Sequence, residues 1–223
     1  MAANNPEFVF PLINNNDFNM QMKDAGHPLL DYKTRVCNNF VIPEQKYAVI
    51  VTGANMAGKS TFLRTVGVNM VFAMMGSVVC ASEFKMSPIG IFTSVRTNDS
   101  LQKSESYFYA ELKRLKAIID DLNADNKMFV IIDEMLRGTN SKDKHHGSVA
   151  LTEQLLRLNA ASIVATHDIM LGNLQNKYPN NVINKRFEVQ IKDNKLDFDY
   201  KLQDGVSQSL NATFLMKKMG ITV

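Results

Sequence analysis

Three stretches of the chain are almost uniformly apolar where a half-exposed strand would alternate: residues 47–52 (Tyr-Ala-Val-Ile-Val-Thr), 128–133 (Met-Phe-Val-Ile-Ile-Asp) and 162–166 (Ser-Ile-Val-Ala-Thr). Each is short and ends on a small or acidic polar residue, which is how strands covered by helices on both faces read. Helical spacing takes over between them. Phe108, Leu112, Leu115, Ile119 and Leu122 recur every three or four residues, and Leu151, Leu155 and Leu158 repeat the pattern. Strand and helix in alternation predict an α/β fold, with a mainly parallel sheet flanked by helices.

The two ends depart from that rhythm. Residues 1–43 are rich in asparagine and hold no sustained period, so loops and short antiparallel strands are expected there as a lead-in packed on a core that spans 44–223. Residues 187–192 and 195–200 alternate around Asp193-Asn194, the pattern of a β-hairpin. Residues 210–219 read as an amphipathic helix, with Lys217 and Lys218 in its last turn and Gly220 as its C-cap. The whole is about one and a half times a typical domain length, which suits one α/β domain or two small ones, and the continuous strand and helix pattern is read as a single domain.

Composition narrows the classes. Apolar residues at 45% and charged residues at 21% exclude a disordered tail or a fibre. A net charge of +3 is too weak to argue for nucleic acid or a membrane surface. Cys37 and Cys80 make no disulfide framework, so a reduced cytoplasmic setting is the default. The N-terminus has no basic and apolar leader pattern. The longest apolar stretch, 66–81, is broken by Asn69 and falls short of the roughly 20 residues a bilayer requires. No membrane contact is expected.

The sharpest chemical signal is the run Gly53, Ala54, Asn55, Met56, Ala57, Gly58, Lys59 and Ser60, which fits G-x-x-x-x-G-K-[ST] between a predicted buried strand and a predicted helix. Glycines let the backbone curl until successive N–H groups face phosphate oxygens, and the positive end of the next helix adds to the attraction. Lys59 would reach the β and γ phosphates of a nucleotide, and the Ser60 hydroxyl would join a Mg²⁺ shell. Asp133 ends the second buried strand, where a carboxylate can hold the same ion, and Glu134 beside it can act as a general base toward water. His167 follows the third strand, either as a γ-phosphate contact or as a structural imidazole. Ser106 stands where the helix containing Phe108 begins, as an anion-binding hydroxyl or as a plain N-cap.

These segments, in this order, resemble the ATPase domain of the MutS family of DNA mismatch-repair proteins, a branch of the ABC-type ATPases. The loop, continued through Thr61, is similar to the family's G-P-N-M-G-G-K-S-T; residues 26–30 (Gly-His-Pro-Leu-Leu) look like its H-P lead-in. Residues 91–95 match I-F-T-R-V, residues 133–139 match D-E-[IL]-G-R-G-T, and residues 165–167 match A-T-H. Residues 203–209 echo the segment before the family's last helix. The resemblance implies ATP and Mg²⁺ as ligands, Glu134, His167 and Lys59 as catalytic residues, and a homodimer in which Ser106 of each copy reaches its partner's nucleotide. It implies closure driven by ATP binding, with Arg137–Thr139 along the shared interface.

Several positions depart from the family pattern. Ala54 replaces a proline, and Ala57 a glycine, which is strained if φ is positive there. Tyr107 replaces a threonine. Tyr200 falls where some members stack the adenine with histidine, so it is either a stacking ring or a strand-face tyrosine, and Arg35 takes the position of the other stacking aromatic. The Phe-X-Glu tripeptide of the mismatch-reading domain occurs nowhere. Mismatched DNA is therefore expected as a partner only through N-terminal domains beyond this chain. The leading expectation is a slow Mg-ATPase domain; the alternative is a nucleotide-dependent dimerisation module with little turnover, outside mismatch repair.

Overall fold

The computed structural model describes residues 5–15, 18–44, 46–95, 107–124, 126–192 and 195–208. In chain order its elements are β1 (Leu12–Ile13), β2 (Met20–Ala25), β3 (Asn38–Ile42), β4 (Tyr47–Gly53), α1 (Lys59–Met74), β5 (Glu83–Met86), β6 (Gly90–Ser94) and α2 (Tyr107–Asn123). There follow β7 (Met128–Asp133), α3 (Ser141–Arg157), β8 (Ala161–Thr166), a 3-10 turn, α4 (Leu174–Lys177), β9 (Val182–Lys192) and β10 (Lys195–Asp204).

The three uniformly apolar runs become β4, β8 and β7, adjacent in a six-stranded sheet of order β10-β9-β4-β8-β7-β6. All its pairings are parallel except the β9–β10 hairpin. Alternate side chains of each central strand enter opposite layers. Val49 and Val51 of β4 pack with Phe62, Leu63, Val66 and Met70 of α1. Ala48 and Ile50 pack with Leu115, Ile118 and Leu122 of α2 and with Leu155 and Leu156 of α3. Burial on both faces leaves no solvated face, which is why the alternation is missing from these sequences; their polar residues, Thr52, Asp133, Ser162 and Thr166, stand at or next to the strand ends.

A smaller sheet has the order β1-β5-β2-β3, and its Met20, Met22, Phe40, Ile42, Phe84 and Met86 join the core cluster that includes the buried face of α1. Here the expectation of antiparallel strands needs correction at one place. β2 runs antiparallel to β3 and β5, but the two residues of β1 pair with β5 in parallel. The hairpin read from residues 187–200 is present, and its first strand is longer than its alternation suggested. Residues 182–187 of β9 lie parallel to β4 inside the sheet.

At the far end of β10 the chain returns to the centre. The Ser207 N–H donates to Thr52 Oγ1 at 2.8 Å, and the Glu188 carboxylate accepts from Ser207 Oγ and the Gln208 N–H. The expected helix over 210–219 lies outside the described residues, as does Ser106. Among the described residues no helix is long and apolar enough to cross a membrane.

Candidate functional site

Register decides which side chains meet. β8 lies between β4 and β7, with Thr52 opposite Thr166 and Asp133 opposite Ala165. The residues that leave the C-terminal ends of these three strands, Gly53, Glu134 and His167, therefore emerge side by side. This is the edge at which parallel α/β sheets present their ligand sites. A cavity of about 400 Å³ opens there. Ala54, Asn55, Met56, Gly58, Lys59, Ser60, Thr61, Asp133, Glu134, His167 and Tyr200 all line it, so the structure gathers these residues, up to 146 positions apart, into one wall.

The loop is shaped by its backbone. Gly58 caps α1 with φ 109°, a conformation an L side chain rarely adopts, and a Cβ there would lie 3.1 Å from the Tyr200 ring. The second left-handed residue of the loop is Met56, with φ 65°. Ala57 is not among the positive-φ residues and is buried, so the substitution of glycine at this position carries no backbone strain. Lys59, 7% exposed, folds back over the loop and donates from Nζ to the Gly53 and Ala54 carbonyls at 2.7 and 2.8 Å. Its ammonium also lies 3.5 Å from His167 Nδ1. Lys59 thus closes its own loop here, where the sequence predicted only a reach toward phosphate.

Ser60 Oγ donates to Asp133 Oδ2 at 2.7 Å, which brings a hydroxyl and a carboxylate from α1 and β7 together. Hard oxygen donors of this kind suit Mg²⁺, which takes one or two protein oxygens and completes its octahedron with phosphate and water. Among the described residues no group of three or more His, Cys, Asp or Glu could hold a metal ion.

The turn after β7 is built from side chains. Glu134 and Leu136 both have left-handed backbones, φ 63° and 55°, at a cost of about 1–2 kcal/mol each. The Glu111 carboxylate on α2 holds this turn by accepting from the Leu136 and Arg137 N–H groups at 2.7 and 3.4 Å. Gly138 permits the close approach of α2, since a Cβ there would lie 2.7 Å from Phe108 Cβ. The Glu134 carboxylate, 14% exposed, meets Lys144 Nζ at 2.6 Å, Arg137 Nε at 3.6 Å and His167 Nε2 at 3.7 Å. Burial pushes its pKa up, but Lys144, His167 and Arg137 together outweigh burial and hold it below the ordinary glutamate value. Burial, then the Lys59 charge, pushes His167 down, which favours a neutral imidazole beside the loop.

Two residues singled out by resemblance fall differently. Tyr200 is 43% exposed at the mouth of the cavity, its ring stacked on Phe198 at 5.9 Å. Arg35 does not line the cavity: its guanidinium lies over the Phe8 ring at 5.6 Å and reaches the Glu7 carboxylate at 3.3 Å. Leu30, Thr34, Val36 and Asn38 from the same part of the chain line the cavity, and Asn38 Nδ2 donates to the Tyr200 carbonyl at 3.0 Å. Lys144, Glu111 and Phe187 escaped the reading of the sequence as site residues. Lys144 carried one signal, a lysine in the first turn of a helix, where the helix dipole disfavours a cation.

A sheet of parallel strands, a phosphate loop after β4 and an acid pair after β7 define a P-loop ATPase fold of the ABC type. A family model described as MutS domain V matches residues 49–219, and the chain belongs to this family. It is 34% identical over 203 residues to MutS protein homolog 4 of Homo sapiens, a match covering 86% of this chain and 21% of that protein. DNA mismatch repair protein MutS of Thermotoga neapolitana is 34% identical over 191 residues, 84% of this chain and 24% of that protein. DNA mismatch repair protein MSH4 of Arabidopsis thaliana is 35% identical over 186 residues, 82% and 23%. The chain spans about a quarter or less of the length of these relatives.

Proposed function

We propose that this chain binds Mg-ATP and hydrolyses it slowly, as the ATPase domain of a MutS-type mismatch-repair protein, and that ATP binding closes a dimer of two such domains. The observation that carries this reading is the convergence of Lys59, the Ser60–Asp133 pair, Glu134 and His167 on one cavity. Loop N–H groups and Lys59 bind the phosphates, and Ser60 and Asp133 would hold the magnesium. When bound, the ion neutralises charge on the phosphate oxygens. His167 donates or accepts at the γ-phosphate as its tautomer requires, and Tyr200 lies at the base end of the cavity. In the chemical step water's oxygen bonds to the γ-phosphorus while its proton passes to a Glu134 oxygen. The bond to the bridging oxygen breaks, and its electrons leave with ADP.

Ser106 of a second copy completes the pocket in this proposal, residues 1–43 serve as a lead-in on the 44–223 core, and mismatched DNA is engaged through other parts of a longer protein. A second reading, a nucleotide-dependent dimerisation module with little turnover, draws support from the Lys144 contact on Glu134. Glu134→Gln separates the two. Phosphate release is expected to fall at least about a hundredfold while Mg-ATP binding stays within about threefold. Hydrolysis unchanged by the substitution removes Glu134 as the base.

A further inference from the structure

The Glu134 carboxylate is held from outside the strand that delivers it. Its backbone is fixed by φ 63° and by an N–H donated to the Ala165 carbonyl at 2.9 Å, so only side-chain rotation is left to aim the carboxylate. Lys144 removes that freedom. Its Nζ donates to Oε1 at 2.6 Å, in the range of strong charge-assisted bonds, whereas the Arg137 and His167 nitrogens stand a full ångström further off, around Oε2.

The position of Lys144 is costly for its own helix. α3 is capped by Asn140, whose side chain accepts from the Asp143 N–H at 3.0 Å and whose carbonyl accepts from the Lys144 N–H at 2.9 Å. Lys144 therefore sits at the positive end of the helix dipole, which repels an ammonium. The Glu134 contact offsets that repulsion.

We infer that Lys144 is a positioning residue that restrains Glu134, turning the carboxylate toward α3 so that hydrolysis waits on release of this contact. The inference rests on the ATP-hydrolysis reading above. Closure of the cavity around nucleotide, or any shift of the first turn of α3, frees the oxygen to accept a proton from water. The lysine sets the rate and leaves the affinity alone, because it contributes nothing to the cavity wall.

Steady-state phosphate release and binding of a fluorescent ATP analogue, measured on the full chain, test this. Lys144→Met is expected to raise kcat about five- to tenfold with KM for Mg-ATP within about twofold, and Lys144→Arg, which keeps the contact, to stay near the unaltered rate. A purely structural lysine predicts the opposite: kcat and thermal midpoint falling together in Lys144→Met. Nucleotide binding with kcat unraised in Lys144→Met, including no turnover in either protein, overturns this inference alone. An unaltered chain that binds no nucleotide overturns the ATP reading and this inference with it.

Discussion

The two walls of the candidate site are made in different ways. The phosphate loop is backbone architecture. Gly58 and Met56 supply the left-handed turns, and the one side chain that closes the loop, Lys59, bonds to carbonyls five and six residues before it. The turn after β7 is held by contacts from elsewhere: Glu111 from α2 accepts from its backbone N–H groups, while Lys144 from α3 and His167, just past β8, meet the Glu134 carboxylate. A local wall tolerates substitution where the backbone allows it, as Ala57 shows. An assembled wall depends on its most distant partner.

The largest effect expected from breaking the local wall is on ligand affinity. Lys59→Met removes a charged donor from the loop, and Mg-ATP affinity is expected to fall about a hundredfold by titration calorimetry. A fall of less than about threefold would mean that the N–H groups alone hold the phosphates. The assembled wall should fail through stability. In Gly138→Ala the new methyl meets Phe108 Cβ, an atom tied to the α2 backbone, and urea unfolding is expected to show a loss of about 1–3 kcal/mol. An unchanged midpoint would show that α2 can slide without disturbing the turn.

The smallest effect is on acid stability. His167 is held below its ordinary 6.5 and Glu134 below its ordinary 4.5, so in both cases the unfolded chain takes up the proton first. Their contribution is present above the unfolded values and is lost as pH falls, beginning near 6.5 for His167 and below 4.5 for Glu134. The melting temperature should decline on acidification, and His167→Asn should flatten the upper part of that decline. A profile identical in the variant would place the sensitivity elsewhere.

The same contrast explains what could be read from the chain. Residues 47–52, 128–133 and 162–166 foretold β4, β7 and β8 to within a residue, since burial on both faces leaves an unmixed apolar run. β6 gave no such signal: as an edge strand its residues are only partly buried, and β5 alternates over four residues, too few to stand out. The face of α2 was misread at two positions, Leu112, which is exposed, and Ile119. Ile118 is fully buried and Ile119 only packs against the layer, because spacings of three and four fit either neighbour. The P-loop was legible because its chemistry is contiguous. Glu111 and Lys144 were not, because neither lies in a motif and only the packing of α2 and α3 brings them to the turn.

One buried hydroxyl ties the chain's far portion to the strand that carries the phosphate loop. Thr52 immediately precedes the loop, and through its Oγ1 it grips the amide of Ser207, 155 residues later. The segment after β10 is thereby pinned directly to the strand that delivers the loop, with neither helical layer in between.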